Sequence, residues 1–343
     1  MRLPRILAGV LAAGLMAASL LRGAPVKVPA VASGFVRESG DPLLQANDAL
    51  QAGEADKALD LIGSLPNPVS ADAHNLTCRV RYTLEQWDPA IHECELAVQS
   101  NGQNSNYHLW LGRALGQKAN HATFLNAYSL AKRVRAEFEE AVRLDPRSPE
   151  ALADLGEFYK DAPAVVGGGT NKAEGIVAQL DKVDSARAHE LRGWLASDQR
   201  DYGTAEREFK QAIAASPHPA LQWATLAGFY RKRERWAELD SAINSLIAAA
   251  DRDKRAGVAL YDGASELARA KRDLALAAKM LNSYLVSPAK TEEAPAFVAY
   301  TRLARIDGQL GDSAGAQRDR AAANALAREY KPAPNSETQE DSH

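Results

Sequence analysis

Apolar residues recur along this chain at helical spacing, in short blocks separated by polar or proline-bearing turns. Ala136 to Tyr159 shows the pattern most plainly. Phe138, Ala141, Val142 and Leu144 fall on one face of a helix, which Asp145 and Pro146 end because proline removes a backbone donor and restricts the residue before it. Pro149 suits the first turn of a second helix, whose apolar face is Leu152, Leu155, Phe158 and Tyr159. Paired helical blocks of this kind recur from residue 41 to residue 330, and no long alternating Val, Ile and Thr run marks a strand. The pattern predicts an all-α chain.

Composition agrees with that reading. The 343 residues are rich in Ala and Leu, with 6% aromatic and 25% charged residues, as packed helices require. The amino terminus changes the picture of where the chain works. Arg2 and Arg5 precede an apolar run from Ile6 to Leu21, and Arg22, Gly23 and Ala24 follow it. A basic start, an apolar middle and small residues after it are the marks of a secretory signal peptide at 1–24, with an uncleaved membrane anchor as the competing reading. Residues 25–40 read as an extended linker and 331–343 as a disordered acidic tail. The net charge of -3 would become -6 if three arginines left with the leader. That balance disfavours a nucleic-acid partner, which selects a basic surface. The expected location is exported, periplasmic or envelope-associated, with membrane contact only through an uncleaved amino-terminal segment.

The helix-turn-helix at Ala136 to Tyr159 resembles the tetratricopeptide repeat, a 34-residue unit with large, small and aromatic residues at fixed places and a proline near its end. In that register the seam takes a small residue at position eight, alanine at twenty and twenty-seven, and an aromatic or aliphatic residue at twenty-four. Ala58, Ala90, Ala97, Ala141, Ala173, Ala205, Ala212, Ala277 and Ala316 take alanine places, while Gly112 and Gly193 take the small place. The resemblance covers residues 41–330 and implies a right-handed solenoid of about eight such units. Two units carry insertions, near 119–130 and 162–171, which are expected to project from one edge. The seventh and eighth units fit the pattern weakly, as terminal caps facing water would. Segment 106–175 is also similar to bacterial repeat proteins akin to the regulator of microtubule dynamics family and the periplasmic repeat component of TRAP transporters.

Three features invite chemistry within that register. His74, His108 and His189 share position four, where a large side chain packs on the neighbouring helix, so no metal site is expected from them. Cys78 and Cys94 stand opposite one another across the seam of one unit. They form a disulfide if the chain enters an oxidising compartment, and two buried thiols otherwise. Gly167, Gly168 and Gly169 precede Thr170, Asn171 and Lys172, yet lack phosphate-loop spacing; their reading is a sharp turn, with Asn171 and Glu174 as a capping box.

No nucleophile, base and orienting group converge, so the expected activity is binding, with no catalytic residue and no cofactor. The first helix of each repeat lines the concave face, where the register places Arg79, Tyr82, Arg113, Glu157, Lys160, Trp194, Arg231 and Arg269. Trp194 has no seam role in the register and is the leading contact candidate. The expected function is a protein-interaction scaffold holding a protein or peptide in that groove. A small organic ligand, held as the transporter component is thought to hold one, is the alternative.

Overall fold

Residues 41–331 are described by a computed structural model, and among them sixteen α-helices form eight antiparallel hairpins. The pairs are α1 (Pro42–Ala52) with α2 (Ala55–Gly63), α3 (Ala71–Thr83) with α4 (Trp87–Ser100), and α5 (Ser105–Asn120) with α6 (Phe124–Leu144). They continue as α7 (Pro149–Asp161) with α8 (Thr170–Leu180), α9 (Ser185–Asp198) with α10 (Tyr202–Ala215), and α11 (Ala220–Lys232) with α12 (Trp236–Ala250). The last two are α13 (Gly257–Arg269) with α14 (Leu274–Val286), and α15 (Ala296–Leu310) with α16 (Ser313–Leu326). The leader and linker expected at 1–40 lie outside the described residues, as does the tail beyond Lys331. No described helix is long and apolar enough to cross a membrane.

Local chemistry sets where the helices begin and turn. Ser70, Ser148 and Asp184 accept hydrogen bonds from the backbone N–H groups of Ala73, Ala151 and Arg187, satisfying donors that a first turn leaves orphaned. Within six hairpins one left-handed residue ends the first helix: Gly53, Glu85, Arg200, Glu234, Lys271 and Gly311 all have positive φ. The residue after each donates back to a carbonyl five positions earlier, as Asp201 does to Ala196 at 2.9 Å, so each turn closes within two to four residues. The two hairpins without this device are α5–α6 and α7–α8, the pair with insertions.

The insertions take two forms. The first becomes helix: α5 and α6 run to 16 and 21 residues, joined by a turn of only His121 to Thr123. Their extension leans on the preceding hairpin through the Lys118–Asp88 ion pair and the His121 ring stacked on Trp87. The second is a 3-10 turn at Ala164–Val166 followed by the glycines, where Gly167 has φ 99° and a Cβ on Gly168 would overlap the Ala162 carbonyl. The Arg135 guanidinium of α6 lies against Gly167 and donates to the Val166 carbonyl at 3.3 Å, so the two insertions meet. The expected capping box does not form. Gly169 is the N-cap of α8, which places Asn171 inside the first turn, and Lys172 Nζ instead donates to the Gly167 carbonyl at 2.6 Å.

The ends of the array overturn the expectation of water-facing caps. Ala46, Leu50, Ile62, Leu76 and Val80 of the first helices share one apolar cluster with Phe297 of α15 and Ala323 and Ala327 at the end of α16. Phe297 is 1% exposed, and the Tyr330 ring covers it at 4.8 Å between centroids. Polar bonds run along the same junction: Arg328 Nε to Asp56 at 2.7 Å, Arg81 to Glu329 at 2.7 Å and the Tyr330 hydroxyl to Glu85 at 3.1 Å. The last unit therefore buries its free face against the first, and the solenoid closes on itself. In an open array each end would leave that apolar face wet.

Candidate partner groove

Consecutive first helices pack on one another, α3 on α5, α7 on α9 and α11 on α13, while second helices pack on first helices. The first helices thus form the inner wall. Inside each hairpin the seam is tight. A Cβ on Gly112 would stand 2.5 Å from the Phe138 ring, and one on Gly193 would stand 2.6 Å from the Phe209 ring. The alanines at the seam are sealed, with Ala58, Ala90, Ala97, Ala141, Ala173, Ala205, Ala212 and Ala277 all at 0% exposure. A small residue at position eight beneath a large residue at twenty-four recurs in paired helices. The chain is an all-α solenoid of helix-turn-helix units, the fold that its resemblance to tetratricopeptide repeats implies.

The inner wall is polar, and most of its groups answer one another across unit boundaries. Arg113 of α5 donates to Asp154 of α7 at 2.6 Å, Arg231 of α11 to Glu266 of α13 at 2.5 Å, and Arg269 to the same Glu266 at 2.8 Å. Lys160 pairs with Asp161 and stands 3.5 Å from Asp198. Tyr82 lies edge-on to Trp87 and Trp110, accepts from Gln117 at 3.3 Å, and its hydroxyl is pushed up to about 12 by burial. Burial and the neighbouring Asp161 push the Glu157 carboxyl up to about 8. Burial likewise raises Glu190 to about 7, despite the hydrogen bond it accepts from Thr225 at 3.1 Å. The eight wall residues expected from the register thus do sit on first helices, but Arg79, Tyr82, Arg113, Lys160, Arg231 and Arg269 are tied to neighbouring side chains rather than standing as free contacts.

Trp194 requires a correction. Its ring packs edge-on against Phe209 at 4.9 Å between centroids, with Lys232 Nζ 5.0 Å above it, so it does carry seam packing. Its indole N–H is nonetheless buried without a hydrogen-bond partner, as is the Oε1 atom of Gln222 on the next first helix. Buried polar atoms are ordinarily satisfied, so these two stand out on the wall. The histidine slot is also more polar than a packing position. His74 Nδ1 meets Glu93 at 2.7 Å, His108 meets Glu137 at 2.6 Å and His189 meets Glu208 at 2.7 Å, in each case a carboxylate on the second helix of the same unit.

Cys78 and Cys94 are paired as a disulfide across the α3–α4 seam, with Cα atoms 5.2 Å apart. Among the described residues no group of three or more His, Cys, Asp or Glu is arranged to hold a metal ion. The register missed Trp110, 5% exposed and flanked by the Arg79 and Arg113 guanidinium groups at 5.5 and 4.8 Å from its ring. It also missed Glu292 and Glu293, which lie outside any helix, in the connector from α14 to α15.

Mouse superkiller complex protein 3 is 25% identical over 217 residues, which is 59% of this chain and 13% of that protein. The chain therefore spans only a small part of that relative. A thermophilic TPR protein of Thermus thermophilus superposes with a TM-score of 0.47 at 18% identity, over 55% of this chain and 96% of that one. A tetratricopeptide repeat protein from Parabacteroides merdae superposes with a TM-score of 0.44 at 13% identity, over 75% and 97%. No protein-family model matches the chain.

Proposed function

We propose that this chain is a non-catalytic interaction scaffold whose inner wall receives a segment of another protein. The observation that carries the reading is the pair of buried, unpartnered polar atoms on adjacent first helices, Trp194 Nε1 and Gln222 Oε1. A donor and an acceptor on neighbouring helices match the N–H and C=O groups that an extended peptide presents, and burial makes each bond worth more than at an open surface. Rigid helices hold both atoms in place, so little ordering cost opposes binding. A small polar ligand, the alternative, would use the same two atoms. Export belongs to the proposal and draws support from the Cys78–Cys94 disulfide, a bond that persists in oxidising compartments.

The test is partner capture by the wild-type chain and by a Trp194→Phe, Gln222→Leu variant from envelope extracts. The substitutions keep the packing against Phe209 and remove the two polar atoms, and an unchanged melting curve verifies the fold. Specific loss of captured protein supports the reading; capture that is indifferent to the substitutions overturns it. Native mass spectrometry of the purified chain separates the alternative, which requires a bound small molecule. Amino-terminal sequencing from envelope fractions tests export, and a chain beginning at Met1 in the cytosolic fraction refutes it.

A further inference from the structure

The connector between α14 and α15 behaves unlike the other links between units. Residues 287–295 make it nine residues long, against four to seven for the other links between described units. Its length carries it back to the inner wall of the second and third units. There Glu292, 9% exposed, accepts from Arg79 at both oxygens, 2.6 Å from Nη2 and 2.9 Å from Nε. Gln51 clamps the same residue, donating to its carboxylate at 2.9 Å and accepting from its backbone N–H at 3.3 Å. The next side chain, Glu293, reaches toward Arg113 at only 3.9 Å, and its second oxygen is buried with no hydrogen-bond partner. Trp110 lies between the two arginines as a flat wall.

An inner wall that holds two adjacent carboxylates of its own chain is a wall built to recognise adjacent carboxylates. The forked guanidinium of Arg79 takes one carboxylate in two-point fashion, and a second cation stands one residue further along. The fit is unequal, however. Glu292 is fully answered, whereas Glu293 is held at long range by an Arg113 that already donates to Asp154 at 2.6 Å, and burial pushes its carboxyl up to about 8 against the pull of Arg113. A group so poorly satisfied is a weak latch, and a chain that places its second carboxylate closer to Arg113 would displace it.

We propose that Arg79, Arg113 and Trp110 form a binding site for an acidic peptide segment with carboxylates on adjacent residues, occupied in cis by Glu292 and Glu293. The inference rests on the scaffold reading and names the chemistry of its partner. Displacement releases Glu292 and Glu293 from the wall without opening the ring, because Phe297, Tyr330 and the Arg328–Asp56 pair hold the junction separately.

The probe is a fluorescein-labelled synthetic peptide of the connector itself, Ser287 to Pro295, followed by fluorescence anisotropy. A Glu292→Ala, Glu293→Ala variant should bind it on the order of tenfold more tightly than the wild type, with affinity falling as salt rises. Adding Arg79→Gln and Arg113→Gln should abolish binding, and a peptide with glutamine in place of both glutamates should not bind. Equal binding by the wild type and the connector variant, or binding indifferent to the arginines, overturns the proposal. So does tighter binding of a single-stranded RNA of equal charge, which would make the site a phosphate reader. Should the double variant fail to fold, the wild type carries the test. Saturating peptide must speed amide exchange at Thr291 to Ala294, and unchanged exchange overturns the proposal. If the peptide fails while partner capture still depends on Trp194 and Gln222, this inference falls and the scaffold stands; if capture is also indifferent, both fall.

Discussion

Truncating Phe297 to alanine tests whether the ring is closed. Ten of the buried residues at the junction belong to α1, α2, α3 and the turn after it, and three come from the last unit: Phe297, Ala323 and Ala327. Phe297 is the only one of those three larger than alanine, so its ring supplies most of what the carboxy-terminal side contributes. Removal of a fully buried Phe side chain costs about 3–5 kcal/mol, and the lost contact with Tyr330 adds roughly 0.5–1.5 kcal/mol. We take about 3 kcal/mol, the lower bound of the truncation cost, as the effect at the junction, since the surrounding side chains relax into part of the cavity. That corresponds to roughly a hundredfold larger equilibrium constant for opening. Hydrogen exchange read by mass spectrometry locates the loss. In a closed ring, peptides covering α1 and α3 lose protection in Phe297→Ala although they lie more than 200 residues away, while α9 and α10 are unaffected. In an open array with nearest-neighbour coupling, only α15 and α16 would respond. Unchanged exchange in α1 and α3 refutes closure, and Phe297→Leu, which keeps most of the volume, should show a much smaller effect.

Further outcomes follow from the turns and the titrating groups. Arg200 holds a left-handed conformation at φ 63° that L side chains adopt at a cost, so Arg200→Gly should raise stability by about 0.5–1 kcal/mol in denaturant melts; a loss would mean its side chain contributes more than the strain. Both ring nitrogens of His108 face acceptors, Glu137 at 2.6 Å and the Gly102 carbonyl at 3.1 Å, and the bond to Glu137 raises its pKa above the ordinary value. The charged ring thus stabilises the fold fully below pH about 6.5 and loses that effect as pH rises through the elevated value. His108→Gln should accordingly cost about 2 kcal/mol at pH 6 and much less at pH 9, and equal losses at both would refute the assignment. Glu157, held near 8, has the same sign, because its neutral form suits the wall. Glu157→Gln should be close to neutral at pH 5 and stabilising by roughly 1–3 kcal/mol at pH 9 in thermal melts. Alkylation of the unreduced chain should modify neither Cys78 nor Cys94, and mass spectrometry showing two adducts would sink the disulfide.

The seam was legible because its constraints are local and repeat. Gly112 lies under Phe138 and Gly193 under Phe209; the second pair is 16 residues apart and the first 26, longer by the ten residues inserted in the third unit, so the repeat register exposes both. The histidines show the same logic carried one step further. His74 and Glu93 are 19 residues apart, as are His189 and Glu208, while His108 and Glu137 are 29 apart. The difference equals the insertion in the third unit, so the partner of each histidine was present in the register, although its polar role was not. What lay hidden were the contacts between distant units. Arg79 meets Glu292 across 213 residues, and Arg328 meets Asp56 across 272. No local pattern encodes a meeting that depends on small rotations accumulated over eight hairpins.

That difference in range also explains why the last unit looked degenerate. A repeat is recognised by residues that serve its neighbours, and a terminal unit that faced water would replace them with polar ones. The eighth unit instead has Phe297 at 1% exposure at the start of α15, covered by the Tyr330 ring. Its departures from the pattern are apolar or buried, the opposite of what a cap requires. They follow from a different neighbour: the eighth unit packs against the first, whose α1 presents its carboxy-terminal end at Gly53 to the start of α15 at Ala296. Gly53 serves two ends there, since its φ of 76° suits the turn and its missing side chain admits Ala296. The weak fit of the terminal unit to the repeat pattern is thus the local trace of closure, and the same junction brings the acidic connector onto the arginines of the second and third units.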